Sequence, residues 1–189
     1  GYSEGAYSKS SSLWQYYRMQ DGTWIETMIF DGDNGWPRCL IIADADPDIP
    51  GNEIYAAVRI SRIGSNQRIG KFKQYYKQNG IWHGVDLLTF GDGTADKEPK
   101  NIAYGDVDPD IPGSEFYMTF DEGGLGFAQI YRDAQGVWQV NTIGEIGKNT
   151  NGVAIGDIDV NKPGNEVIVT VDRDSLKCYS KNDGIWVAE

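Results

Sequence analysis

Acidic side chains recur in one pattern at three places in the chain: Asp44-x-Asp46-Pro-Asp48-x-Pro50-Gly51-x-Glu53, Asp106-x-Asp108-Pro-Asp110-x-Pro112-Gly113-x-Glu115, and Asp157-x-Asp159-x-Asn161-x-Pro163-Gly164-x-Glu166. Acids at the first, third and fifth positions let a tightly turned loop aim three side-chain oxygens at one point, which suits a hard cation that takes about six to eight oxygen ligands. The carbonyl of Pro50, Pro112 or Pro163 at the seventh position adds a fourth ligand. Gly51, Gly113 and Gly164 then permit a sharp turn, and Glu53, Glu115 or Glu166 at the tenth position closes the site. With a single His and two distant cysteines in the chain, the set points to Ca2+ rather than zinc or copper. The competing reading is that the acids cap turns by accepting backbone amides. Three copies in register favour the cation, and Asn161 makes the third loop the weakest of the sites.

A second motif alternates with the first. Tyr17 to Trp24, Tyr75 to Trp82, Tyr131 to Trp138 and Tyr179 to Trp186 each read Tyr-x-x-x-polar-Gly-x-Trp. Self-similarity at a period of roughly 50 residues is the mark of propeller blades or stacked arrays. Apolar residues precede each acidic loop, and alternating ones follow it, as in Ile54, Ala56 and Val58 or Phe116, Met118 and Phe120. Such alternation describes strands with one face in a core. Asp21-Gly22, Asn79-Gly80, Gln135-Gly136 and Asp183-Gly184 fall where hairpins need positive φ.

One repeat therefore reads strand, acidic loop, strand, connection, strand, Gly turn, strand. The expected fold is all-β: a β-propeller-like array of four-stranded antiparallel blades. The blades cover about 39–90, 101–144 and 152–189, with a partial blade in 1–30, so the single repeat domain holds about three and a half to four blades. An open arc leaves edges uncovered, which favours either a longer chain or association of copies.

The net charge of −11 argues against nucleic acid and anionic membrane surfaces as partners. No apolar run approaches the ~20 residues of a membrane helix, so no membrane insertion is expected, and Gly1 to Ser12 carries no hydrophobic signal core. Cys39 and Cys178 leave open two free thiols or one bridge.

The acidic loops resemble the calcium-binding blades of FG-GAP/VCBS-type propellers, and the Asp-x-Asp-Pro-Asp-x-Pro-Gly-x-Glu form is similar to repeats of rhamnogalacturonan lyase propellers. In the usual FG-GAP loop the last acid stands at position nine. Here Glu53, Glu115 and Glu166 stand at ten, which separates the chain from the integrin-like branch. The resemblance implies a structural calcium, an extracellular location, secreted or at a cell surface, and a role in adhesion or binding.

For catalysis the inventory is one His without a nucleophile motif. His83 follows Trp82 in a hairpin strand without a counterpart at Gln139 or Val187 and reads as an exposed variable residue; with Tyr76 or Lys77 it is the one combination to test for a polysaccharide lyase, and a propeller-type lyase is the alternative function. Trp24, Trp82, Trp138 and Trp186 read as blade packing, and Trp14, aligned with Phe72, Ala128 and Leu176, as core. Trp36 escapes the repeat, in a loop from Asp31 to Pro37, and is the candidate ligand-binding residue. Arg59, Arg62, Arg68, Lys71 and Lys73 form a basic island, either a contact for acidic polysaccharide or a solvated edge. The reading that results is a calcium-stabilised, non-catalytic binding or assembly module. Its partner is carbohydrate or protein, including other copies of itself, or the chain is purely a self-assembling structural subunit.

Overall fold

The computed structural model describes residues 11–31, 35–61, 68–91, 97–121, 125–172 and 174–189. Among them the regular structure is all β. The first sheet is a hairpin of β1 (Ser12–Arg18) and β2 (Trp24–Asp31). The second holds β3 (Gly35–Ala43), β4 (Glu53–Ser61), β5 (Arg68–Gln78) and β6 (Ile81–Phe90). The third holds β7 (Pro99–Gly105), β8 (Glu115–Phe120), β9 (Phe127–Arg132) and β10 (Trp138–Gly144). The fourth holds β11 (Thr150–Gly156), β12 (Glu166–Val171), β13 (Ser175–Asn182) and β14 (Ile185–Ala188). Each sheet is an antiparallel meander in chain order, so the four repeats anticipated from the two motifs are four separate sheets. Among the described residues no helix is long and apolar enough to cross a membrane.

Three buried clusters fill the seams between consecutive sheets, because each strand carries large side chains on both faces. Tyr55, Ala57 and Phe72 of the second sheet meet Phe116, Met118, Phe120 and Ile130 of the third. Tyr117 and Phe127 of the third meet Val167, Val169 and Val171 of the fourth. Ala56, Val58 and Tyr75 meet Leu13, Ile29 and Phe30 of the first hairpin. Burying each of the larger apolar side chains among these contributes about 1.5–3 kcal/mol. Ring contacts such as Tyr55 on Phe116, 4.5 Å between centroids, add orientation preferences. Successive four-stranded sheets approach through their first strands, β3 beside β7 and β7 beside β11.

The Gly turns fall into two kinds. Asn79-Gly80 and Asp183-Gly184 have positive φ at both residues, the two-residue turn that Asn-Gly and Asp-Gly favour. At Gly22 and Gly136 only the glycine is positive, and the amides of Gly22 and Gly136 bond the carbonyls of Met19 and Asp133. Those two turns are a residue longer, and a one-residue offset puts side chains on opposite faces. Tyr75 and Tyr179 consequently face the preceding sheet, while in the longer hairpin it is Ile130, one residue before Tyr131, that does so. Phe72 and Ala128 share one cluster from opposite sides, so aligning them by the Tyr motif misassigns their faces.

Two expectations about tryptophans give way here. Trp14 and Trp24 are 40% and 65% exposed, because they face away from the second sheet. Trp36 sits in β3 rather than in a loop, opposite Arg59, and residues 32–34 of the expected loop lie outside the described residues, as do residues 1–10 and Arg62. Cys39 and Cys178 are free and belong to different sheets; the Cys39 thiol donates to Asn101 Oδ1 at 3.0 Å.

Candidate functional site: the acidic loops

Each acidic loop joins the first two strands of a four-stranded sheet and folds over its own glutamate. The Asp46 carbonyl accepts from the Ile49 amide at 3.0 Å, and Asp46 Oδ1 accepts from the Asp48 amide at 3.1 Å. Asp108 repeats both bonds, to Ile111 and Asp110, and Asp159 to Lys162 and Asn161. The acid at position three is thus a turn cap in all three loops, as the competing reading expects. Gly51, Gly113 and Gly164 follow with φ of 97°, 99° and 102°, the left-handed conformation in which a side chain is strained.

The tenth-position glutamates are buried beneath the loops. Glu53 Oε2 accepts from the amides of Ala45 and Asp46 and from Tyr55 Oη. Glu115 Oε2 accepts from Val107, Asp108 and Tyr117 Oη, and Glu166 Oε2 from Ile158 at 2.9 Å. The other oxygens of the first two, Glu53 Oε1 and Glu115 Oε1, are buried without a hydrogen-bond partner. Burial pushes the Glu115 carboxyl up to about 7, and burial beside Glu53 raises the Tyr55 phenol.

A glutamine from the third strand completes the first two sites. Gln74 Nε2 donates to Asp46 Oδ2 and Tyr55 Oη, both at 3.2 Å. Gln129 Nε2 donates to Asp108 Oδ2 at 2.9 Å. In the third repeat Ile168 and Cys178 occupy the Tyr and Gln positions, so Asp159 lacks this support. The sequence signal for the network is a Tyr two residues after each of the first two glutamates, on the strand face opposite the alternating apolar residues noted above.

The third and fifth positions of the first two loops each converge on one side-chain cation, Asp46 and Asp48 on Arg132, Asp108 and Asp110 on Lys181. Asp44, Asp48, Asp106, Asp110, Asp157 and Asn161 are exposed while Asp46 and Asp108 are buried. Among the described residues no group of three or more His, Cys, Asp or Glu side chains is arranged to hold a metal ion. Pro50, Pro112 and Pro163 are exposed on the loop tips.

A cation from the following sheet reaches two of the loops instead. Arg132 Nη1 lies 2.9 Å from Asp46 Oδ1, and Nη2 lies 2.5 Å from Asp48 Oδ2. Lys181 Nζ lies 2.7 Å from Asp108 Oδ1 and 3.0 Å from Asp110 Oδ2. Burial pushes the Asp108 carboxyl up, but the bonds from Lys181 and Gln129 outweigh it and hold it below the usual range. Both cations stand directly across the hairpin from the repeated tryptophan, Arg132 from Trp138 and Lys181 from Trp186, as do Arg18 from Trp24 and Lys77 from Trp82. Sequence alignment on the Tyr hid this, because the cation is one residue on in the longer hairpins and two in the shorter.

Beside the first two loops runs a groove of about 830 Å³, lined by Asp48, Tyr104, Ser114, Tyr131, Arg132 and Trp138 among others. Trp36 lies apart from it, with the Arg59 guanidinium 4.1 Å from its ring centroid. Within the basic island Arg59 pairs with Glu98, and Lys71 and Lys73 pair with Asp86. His83 is exposed and stacked on Tyr76 at 5.3 Å. Compared with known proteins, the chain matches no family model and no curated protein.

Proposed function

We propose that this chain is a calcium-stabilised extracellular array of propeller-type blades that acts as a non-catalytic binding or assembly module, with carbohydrate or protein as its partner. The observation that carries the calcium reading is the pair of orphaned oxygens, Glu53 Oε1 and Glu115 Oε1. A buried carboxylate oxygen without a donor is costly to keep ionised, and a divalent cation supplies the missing counter-charge. Asp44, Asp46, Asp48 and the Pro50 carbonyl are the other ligands in the first loop, and their equivalents serve the second. Cation entry needs the exposed acids to swing inward, displacing or sharing the contacts of Arg132 and Lys181. The third loop, with Asn161 in place of an acid and Lys162 in place of Ile49 and Ile111, takes the ion least well.

The propeller reading is supported by the approach of β3 to β7 and of β7 to β11, as expected of successive inner strands of propeller blades. For the partner, the groove of Tyr104, Tyr131 and Trp138 offers aromatic residues beside Asp48, Ser114 and Arg132, a combination suited to sugar rings and their hydroxyls. Trp36 is the lesser platform, since Arg59 covers one face of its ring.

Calorimetric titration with calcium, followed by melts with and without a chelator, tests the metal. Two ions bound with a higher Tm support the reading, because a ligand that binds only the native state stabilises it. No heat and an unchanged Tm refute it.

A further inference from the structure

The seam between two four-stranded sheets is built twice from equivalent parts. The residue two after the loop glutamate points forward, Tyr55 in the second sheet and Tyr117 in the third, and the repeated tryptophan of the next sheet meets it edge-on. Trp138 lies 6.0 Å from Tyr55 and Trp186 lies 5.9 Å from Tyr117, centroid to centroid. The cation opposite that tryptophan then reaches back to the loop, Arg132 to Asp46 and Lys181 to Asp108.

The two ends of the array carry the unmatched halves of such a seam. On the last sheet Ile168 takes the Tyr55 position. Leu176 is 71% exposed where its equivalents Phe72 and Phe127 are fully buried, and Ile158 is 54% exposed where Val107 is buried. Among the described residues no cation from a following sheet reaches Asp159; Lys162 of the same loop stands 3.7 Å away. On the first hairpin Trp24 and Tyr16 are 65% and 60% exposed, where Trp138 and Ile130 pack on the sheet before them. Arg18 holds the register of Arg132 and makes the same bond to its turn, Nε to the Gly22 carbonyl at 3.3 Å. No ion pair to Arg18 occurs among the described residues.

We infer that a second copy of this chain docks head to tail, laying the outer face of its β1–β2 hairpin on the outer face of the last sheet. Trp24 and Tyr16 of one copy cover Ile168 and Leu176 of the other, and Arg18 reaches Asp159 and Asn161. A copy is favoured over an unrelated partner because hydrophobic position, tryptophan and cation fall in the register that the internal seams already use. The inference rests on the blade-array reading but not on calcium. A chain of net charge −11 repels its copies, so bound calcium strengthens the association without creating it.

The test is sedimentation equilibrium in calcium of the wild type, Trp24→Asp and Leu176→Asp, with circular dichroism to verify folding. Both substituted residues are exposed, so the fold is kept. The wild type associates, each variant alone weakens association by about tenfold or more, and an equimolar mixture restores a one-to-one complex, since one variant keeps each face. A monomeric wild type overturns the inference, as does association of both variants at wild-type strength. Calorimetry on the same samples separates the two readings. Calcium binding without association removes only the docking; association without calcium binding removes only the metal.

Discussion

Arg132 of the third sheet places Nη1 2.9 Å from Asp46 Oδ1, in the acidic loop of the sheet before it. The loop that reads as a cation site is thereby also a latch between sheets, and the guanidinium occupies ground that a metal ion would claim. Replacing Arg132 by Ala should lower stability in chelator by about 1–2 kcal/mol, the range for a partly exposed, charge-assisted contact. The same variant should bind calcium more tightly at the first loop, because a competing cation is gone. Urea unfolding in chelator and calcium titration read the two effects separately; a fall in both stability and affinity would mean that Arg132 shapes the loop rather than competes for it.

Glu115→Gln separates charge from shape. Glutamine keeps an acceptor for the amides of Val107 and Asp108 and for Tyr117 Oη while removing the buried charge. Metal-free stability should change by no more than about 1 kcal/mol, whereas the rise in Tm on adding calcium should shrink by the share of this site. Glu115→Ala, which empties the acceptor, should cost about 2–4 kcal/mol in chelator as well. Melting curves of the three proteins with and without calcium decide the matter.

Thr150 ties the third sheet to the fourth. Its Oγ1 accepts from the Phe120 amide at 2.9 Å and lies 3.0 Å from the Phe120 carbonyl, all buried. Thr150→Val preserves shape but removes the hydroxyl that bridges Phe120 and Gly126, while the Phe120 amide keeps the Gly126 carbonyl at 3.0 Å, so the expected loss is about 0.5–1.5 kcal/mol by urea unfolding. Thr150→Ser, which keeps the hydroxyl, should recover most of it.

Strands, loops and turn glycines were legible because each rests on local chemistry repeated in register: an apolar run, a Gly that must take positive φ, an alternating pair of faces. Facing was less legible. The hairpins at Gly22 and Gly136 differ by one residue from those at Gly80 and Gly184, and this flips what lies before them, so Arg132 and Lys181 stand at different distances from the repeated Tyr although they play one part. Trp14 and Trp24 occupy repeated positions, but burial of such a position depends on a neighbouring sheet and not on the residue. The Gln74 and Gln129 bonds to Asp46 and Asp108 depend on partners 28 and 21 residues away, a relation that periodicity does not encode.

Acid sensitivity should have a component at Glu145, which follows β10. Burial pushes its carboxyl up, but bonds from Lys177 Nζ and Tyr179 Oη, at 2.5 and 2.6 Å, outweigh this and hold its pKa below the ordinary glutamate value of 4.5. Because the folded pKa is depressed, the stabilisation is complete above the unfolded value and is lost as pH falls through the folded one. Wild-type stability should therefore decline below about pH 4.5 with a contribution that Glu145→Gln removes, and that variant should be weaker by about 1 kcal/mol at neutral pH, a figure kept small by the solvent exposure of Lys177. Tyr179→Phe, which deletes one donor and leaves the lysine, should flatten the same limb only in part. Urea unfolding across pH 3–7 measures all three curves. If the Gln variant and the wild type fall in parallel, the cluster is already screened and contributes nothing to the acid response.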